Sequence, residues 1–140
     1  MTKFSRKVMR VVAIIYAIVL IVVSVLPSGR GTLGGWDKDI APSLQNALHV
    51  PVYALLVAMV TFAIPLRHSS SHGRILIVVL SCCIFGAILE SVQVLVRGRS
   101  ASVTDGLLNV TGVLAGAAVV IGWRRLFRHT KLAIAERSAK

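Results

Sequence analysis

A short stretch of this sequence carries acids, amides and arginines between two strongly apolar segments. Its polar residues are Glu90, Gln93, Arg97, Arg99, Asp105 and Asn109. An ionisable residue inside a membrane-spanning segment costs about 2.5–3.5 kcal/mol on insertion scales, so it normally faces a partner or a water-filled cavity. The stretch is therefore a candidate binding or catalytic site.

The types of these residues favour the binding of oxyanions and polar headgroups. Arginine binds phosphate or carboxylate through two parallel hydrogen bonds, which makes Arg97 and Arg99 candidate ligand-binding residues. The amides of Gln93 and Asn109 can hydrogen bond a headgroup. Glu90, Gln93 and Arg97 follow i, i+3 and i+7, so we expect them to share one helix face.

Three residues are candidates for catalysis. Glu90 is a carboxylate in apolar surroundings, a setting used for general acid–base catalysis. His49 is a candidate base or nucleophile, and Asp105 can position His49 or an arginine. Tyr53, one helical turn after His49, is a candidate ligand-binding residue, with packing as the alternative. The two cysteines and the histidines form no metal-ligand pattern, so we predict no metal and no cofactor.

Structural roles remain open for the same residues. Glu90 can form an intramembrane ion pair with an arginine and so fix the register of two helices. Asp105, together with Ser102, suits the N-terminus of a helix as a cap. His49 suits the boundary between membrane and water.

Four apolar segments must position these residues. The chain has 140 residues, of which 56% are hydrophobic, and its mean hydropathy is +0.81. The predicted spans are about 9–27, 47–66, 74–96 and 103–123, lengths suited to a hydrocarbon core about 30 Å thick. We therefore predict an all-α integral membrane protein, a four-transmembrane-helix bundle in the single domain 1–140. The first span is predicted to be a retained anchor rather than a signal peptide, because no small-residue cleavage site follows it.

Basic residues predict the orientation. The N-terminus, the loop between spans two and three, and the basic tail 124–140 hold four, two and six of the sixteen Lys and Arg residues. The positive-inside rule then places both termini in the cytoplasm and the polar stretch at the outer surface. The net charge of +11 is explained by topology and by attraction to anionic lipid, so no nucleic-acid partner is predicted.

One face of the fourth span combines polar and small residues. Asp105, Asn109, Gly112 and Gly116 follow i, i+4, i+7 and i+11. The two glycines form a G-x-x-x-G pair, which allows two helices to approach closely. We expect this face to pack on the third span and to bring the acids and amides of the two spans together.

Several motifs resemble those of the VanZ-like family of integral membrane proteins, over about residues 45–122. They are E-x-x-Q at 90–93, G-R-S at 98–100, and D-x-x-x-N-x-x-G at 105–112. An H-x-x-x-Y stretch at 49–53 also fits. Family members often carry Asp-Lys directly before the histidine, whereas here Asp37-Lys38 lies eight residues before the matching positions.

The resemblance implies a multi-pass protein of the bacterial cytoplasmic membrane. Founding members of the family are linked to low-level resistance to teicoplanin, which acts outside the membrane on cell-wall precursors. The resemblance thus implies a site that binds a membrane lipid or a lipid-linked envelope precursor, and it implies reduced susceptibility to teicoplanin. A small hydrolase or transferase acting on a lipid-linked phosphate is the alternative, and whether the chain is an enzyme stays open. A homodimer or a larger envelope complex also stays open.

Overall fold

Four long helices make up the described part of the protein. The computed structural model describes residues 3–26, 42–64, 71–96 and 102–138. The helices are α1 (Lys3–Val25), α2 (Pro42–Ala63), α3 (Ser71–Gln93) and α4 (Val103–Ser138). Each helix is long and apolar enough to span a membrane, and the described residues contain no strand. The predicted all-α architecture with four spans is confirmed.

Some helix ends differ from the predicted spans. α2 begins at Pro42, because proline fits the first turn of a helix, where its missing N–H is not needed. α4 continues past Trp123 to Ser138, and no proline or glycine follows Trp123 to end it. Residues 124–138 of the predicted basic tail are therefore a continuation of the fourth helix.

α3 ends at Gln93, before the predicted end of the third span. The N–H groups of Leu95 and Val96 donate to the carbonyls of Val92 and Gln93, so the chain closes into a turn there. The predicted face shared by Glu90, Gln93 and Arg97 is therefore helical as far as Gln93, and Arg97 lies outside the described residues.

The helices alternate in direction across the bundle. The Tyr16 hydroxyl donates to the Val52 carbonyl at 3.1 Å, and Arg10 Nε donates to the Ala63 carbonyl at 3.0 Å, so α1 and α2 are antiparallel. α2 and α4 run parallel, as successive contacts along the two helices show. The start of α1 and the end of the apolar part of α4 therefore lie at the same end, on one side of the membrane. That this side is cytoplasmic stays a prediction.

The glycine face of α4 packs on α2. A Cβ atom on Gly112 would lie 2.5 Å from the Val50 carbonyl oxygen, and one on Gly116 would lie 2.5 Å from that of Ala54. The predicted packing of this face on the third span was wrong. A stripe of small residues marks the face that permits close approach, but it does not identify the neighbouring helix.

The buried core is apolar and centred on α2. Its members include Tyr53, Leu56, Val57, Val78 and Val113. α1 lies at the periphery: only 6% of its span is buried inside the protein, compared with 33% for the α4 span. Most of α1 after Arg10 is thus available for contact with lipid, as expected for a segment that is apolar on nearly all sides.

Candidate functional site

One end of the bundle gathers the polar residues of three helices. α2 and α4 begin at this end and α3 ends there. We define the polar cluster as His49, Glu90, Gln93, Asp105 and Asn109.

His49 and Asn109 join α2 to α4. His49 Nδ1 lies 2.7 Å from Asn109 Oδ1, and the Asn109 side chain is buried. An amide oxygen can only accept, so in this hydrogen bond Nδ1 carries the hydrogen, and in a neutral ring the lone pair is then on Nε2. Gly112 lies one turn further along α4, and its contact with α2 brings the two helices close enough for the bond. The fold therefore fixes the orientation of the His49 ring.

Glu90 joins the end of α3 to the start of α4. Its Oε2 atom accepts from the backbone N–H of Ser102 at 3.4 Å, and the Ser102 carbonyl accepts from Gly106 N–H. Glu90 forms no ion pair with any residue that the structure describes. Arg97 and Arg99 lie outside the described residues, so their ligand-binding role and an ion pair with Glu90 stay predictions.

Asp105 lies in the first turn of α4 with unused hydrogen-bonding capacity. Its Oδ1 atom is buried and has no hydrogen-bond partner among the described residues. In a capping box, the third residue of the helix accepts from the backbone N–H of the cap residue. Here Glu90 accepts that hydrogen from Ser102 instead. Among the described residues, the Oδ1 atom of Asp105 therefore remains open to a donor.

Tyr53 closes the polar cluster from the interior. A Cβ atom on Gly86 would lie 3.0 Å from Tyr53 Cε1, and one on Gly112 would lie 3.0 Å from Tyr53 Cβ. The side chain therefore fills the space between α3 and α4, and only 4% of it is exposed. Gln93 is also buried, at 8% exposure. Tyr53 thus forms the floor below the cluster; its predicted contact with a ligand stays a prediction.

The opposite end of the bundle carries three arginines that the sequence analysis treated only as topology signals. We define the arginine cluster as Arg10, Arg74 and Arg124. Arg74 is 4% exposed, and all three of its guanidinium nitrogens are buried without a hydrogen-bond partner among the described residues. The Arg124 guanidinium carbon lies 5.9 Å from the Phe62 ring centroid and interacts electrostatically with Arg74. In the sequence, the one sign that Arg74 could be buried is its position at the start of an apolar run.

The described residues contain no group of three or more His, Cys, Asp and Glu side chains arranged to hold a metal ion. The groups that the polar cluster does offer are hydrogen-bond acceptors and donors: two carboxylates, two amides and one oriented imidazole. Such a set can bind a polar headgroup, and the imidazole and a carboxylate can also move protons.

Four membrane-spanning helices with a polar cluster at one end define a multi-pass membrane protein. The chain belongs to the VanZ/LLP1 family, whose sequence model matches residues 13–128. The match covers most of the chain and includes the polar cluster together with Arg74 and Arg124. No curated protein and no solved structure matches the chain significantly. The resemblance found in the motifs is therefore confirmed at the level of the family.

Proposed function

We propose that the protein binds the headgroup of a lipid or lipid-linked cell-envelope precursor at the polar cluster, on the outer side of the bacterial cytoplasmic membrane. The observation that carries the proposal is the buried, unpartnered Oδ1 atom of Asp105. A buried acceptor without a donor costs about 1–3 kcal/mol, and a ligand that donates a hydrogen bond recovers that free energy.

The chemistry of the cluster defines the ligand class. Asp105 needs a donor, such as a hydroxyl of a sugar or an amine of a headgroup. Asn109 uses its oxygen on His49 and retains its NH₂ group for an acceptor on the ligand. Arg97 and Arg99, on the segment between α3 and α4, add the expected affinity for phosphate. Sugar, amine and phosphate groups occur together in lipid-linked envelope precursors.

The association of the VanZ family with teicoplanin resistance supports a role in susceptibility to this antibiotic. Teicoplanin acts on cell-wall precursors outside the membrane. A protein that binds such a precursor at the outer surface competes with the antibiotic for the same molecules. We therefore expect cells that produce the protein to tolerate more teicoplanin than cells that lack it.

The proposal is tested by mass spectrometry of the lipids that remain bound to the purified protein. We expect wild type to retain a headgroup-bearing species and Asp105→Ala to retain at least tenfold less. Thr104→Ala, at the exposed neighbouring position, is the matched control and should retain it as wild type does. Teicoplanin tolerance should follow the same order. Equal lipid retention by all three proteins contradicts the proposal.

A second function, hydrolysis or group transfer on a lipid-linked phosphate, is favoured by the hydrogen bond between His49 and Asn109. That bond leaves the Nε2 lone pair of an oriented ring available as a base or nucleophile. Incubating a phosphate-bearing lipid extract with wild type, His49→Ala, Glu90→Gln and the exposed control Ser91→Ala separates the two functions. Conversion by wild type and Ser91→Ala alone indicates an enzyme. A lipid that is bound unchanged by wild type and Glu90→Gln indicates binding without turnover.

A further inference from the structure

Arg74 is a buried cation without a counterion among the described residues. Its side chain is 4% exposed, and none of its three guanidinium nitrogens has a hydrogen-bond partner in the described part of the chain. Buried charges in proteins are normally paired, because removing a charge from water is costly unless another charge and hydrogen bonds compensate. The guanidinium also remains charged under all ordinary conditions. Arg74 therefore requires an anion from outside the described residues.

The neighbouring charges are also positive. Arg124 is half-buried and interacts unfavourably with Arg74, while its guanidinium faces the Phe62 ring. Arg10 donates through Nε to the carbonyl of Ala63, the residue that follows Phe62. The arginine cluster thus surrounds the end of α2. An oxyanion bound there replaces repulsion between cations with attraction to each of them.

The described carboxylates of the chain lie at the other end of the bundle. With a rise of 1.5 Å per residue, Glu90 is about 24 Å from Arg74 along α3, and Asp105 is about 28 Å from Arg124 along α4. Neither of these two carboxylates can pair with Arg74.

These separations are close to the thickness of the hydrocarbon core, about 30 Å. With the polar cluster near one membrane surface, the arginine cluster lies near the other, at the depth of lipid phosphates. A surface groove next to Arg10 is lined by basic and valine side chains: Lys7, Val8, Arg10, Val11 and Val12. Basic groups beside an apolar surface suit a molecule that carries both a phosphate and an acyl chain.

We propose that the arginine cluster binds a phosphate oxyanion, carried by an anionic phospholipid or free in solution. Guanidinium groups bind phosphate through paired hydrogen bonds, and Arg74 has all of its nitrogens available for them. The proposal goes beyond the proposed function and concerns the opposite end of the bundle, so the failure of one leaves the other intact.

The test compares thermal unfolding of the full chain in neutral detergent after addition of phosphatidylglycerol, phosphatidylcholine or inorganic phosphate. We expect a rise of about 5 °C with the anionic lipid and a clearly smaller rise with phosphatidylcholine, because the choline cation of that lipid compensates the charge of its phosphate. A response to phosphatidylglycerol alone identifies the lipid as the source of the phosphate. A response to inorganic phosphate as well identifies the oxyanion itself as sufficient. No response to either overturns the proposal.

Variants assign the response to the cluster. Arg74→Gln should lose the response to phosphatidylglycerol. Arg125→Gln removes the same charge from the exposed position next to Arg124 and should retain the response. Arg124→Gln should weaken the apparent affinity at least tenfold, and it serves as the test if Arg74→Gln does not fold. Equal responses in wild type, Arg124→Gln and Arg125→Gln overturn the proposal, because they indicate general attraction to a basic surface.

Discussion

The two ends of the bundle accommodate charge in different ways. In the polar cluster, Glu90 accepts from the Ser102 backbone and His49 is paired with Asn109, so three of the five side chains have a partner on another segment of the chain. In the arginine cluster, Arg74 is buried with no partner among the described residues. The polar cluster is therefore partly preorganised by the protein, and the buried Oδ1 atom of Asp105 stays open to a donor. The arginine cluster depends on an anion that the described chain does not supply.

The largest expected change in the free energy of unfolding comes from the contact between α2 and α4, which lies between the two clusters. Gly116→Leu places a side chain where a Cβ atom already lies 2.5 Å from the Ala54 carbonyl oxygen. α4 must move away from α2, and we expect a loss of about 3 kcal/mol in the free energy of unfolding. Unfolding in mixed micelles of sodium dodecyl sulfate and dodecyl maltoside measures it. Both clusters should also lose their ligand responses.

Gly122→Leu is the matched control for this prediction. No atom lies within 4 Å of a Cβ atom on Gly122, so this variant should unfold as wild type does. Wild-type stability in both variants would contradict the close contact between α2 and α4.

Removing the charge of Arg74 should stabilise the protein in neutral detergent and destabilise it in phosphatidylglycerol. In neutral detergent we expect Arg74→Met to stabilise the protein by about 2 kcal/mol, because a methionine of similar size replaces an unpaired buried cation. In phosphatidylglycerol the same variant should be less stable than wild type, because it has lost its ligand. Unfolding in the two media measures the difference. A variant that is less stable than wild type in neutral detergent would show that Arg74 is already paired there.

Truncating a partner in the polar cluster should destabilise the protein in every lipid. Asn109→Ala leaves His49 Nδ1 without its acceptor, and we expect a loss of about 1.5 kcal/mol. Thr111→Ala is the control, since Thr111 is exposed and its hydroxyl donates only to the Leu107 carbonyl within α4. The same unfolding assay applies. A loss that vanishes in phosphatidylglycerol would contradict the distinction between the two ends.

The smallest effect is expected from a hydrogen bond outside both clusters. Tyr16→Phe removes the bond from the α1 hydroxyl to the Val52 carbonyl, and we expect a loss of about 0.6 kcal/mol, the average for such bonds in membranes. The responses to phosphatidylglycerol and to headgroup-bearing lipids should both stay at wild-type values. A change in either response would place Tyr16 in the corresponding cluster.

The number of helices and their membrane-spanning character could be predicted from sequence because lipid allows few alternatives. A segment in hydrocarbon must satisfy its own backbone hydrogen bonds, so a long apolar run is a helix. Spacing also predicted that Asp105, Asn109, Gly112 and Gly116 share one face of α4. It did not predict that this face meets α2, because the choice of neighbour depends on how all four helices pack.

The individual contacts of the site were less predictable. The polar residues were correctly grouped by helix, but the bond between His49 and Asn109 depends on the register of α2 against α4, which spacing within one helix does not contain. Arg74 was interpreted as a topology signal because basic residues next to spans usually have that role. Only the packing of neighbouring helices around its guanidinium reveals that it is buried.

The position of Tyr53 has a consequence for the electrical integrity of the membrane. Its ring fills the space between Gly86 and Gly112, and below it the core continues with Leu56, Val57 and Val113. Thr61 is a polar residue deeper in this layer, and its hydroxyl donates a hydrogen bond to the Val57 carbonyl of its own helix. Below Tyr53, the described residues of this layer thus offer no chain of hydrogen-bonding groups that water from the polar cluster could follow. We therefore expect the protein to conduct no ions between the polar cluster and the arginine cluster.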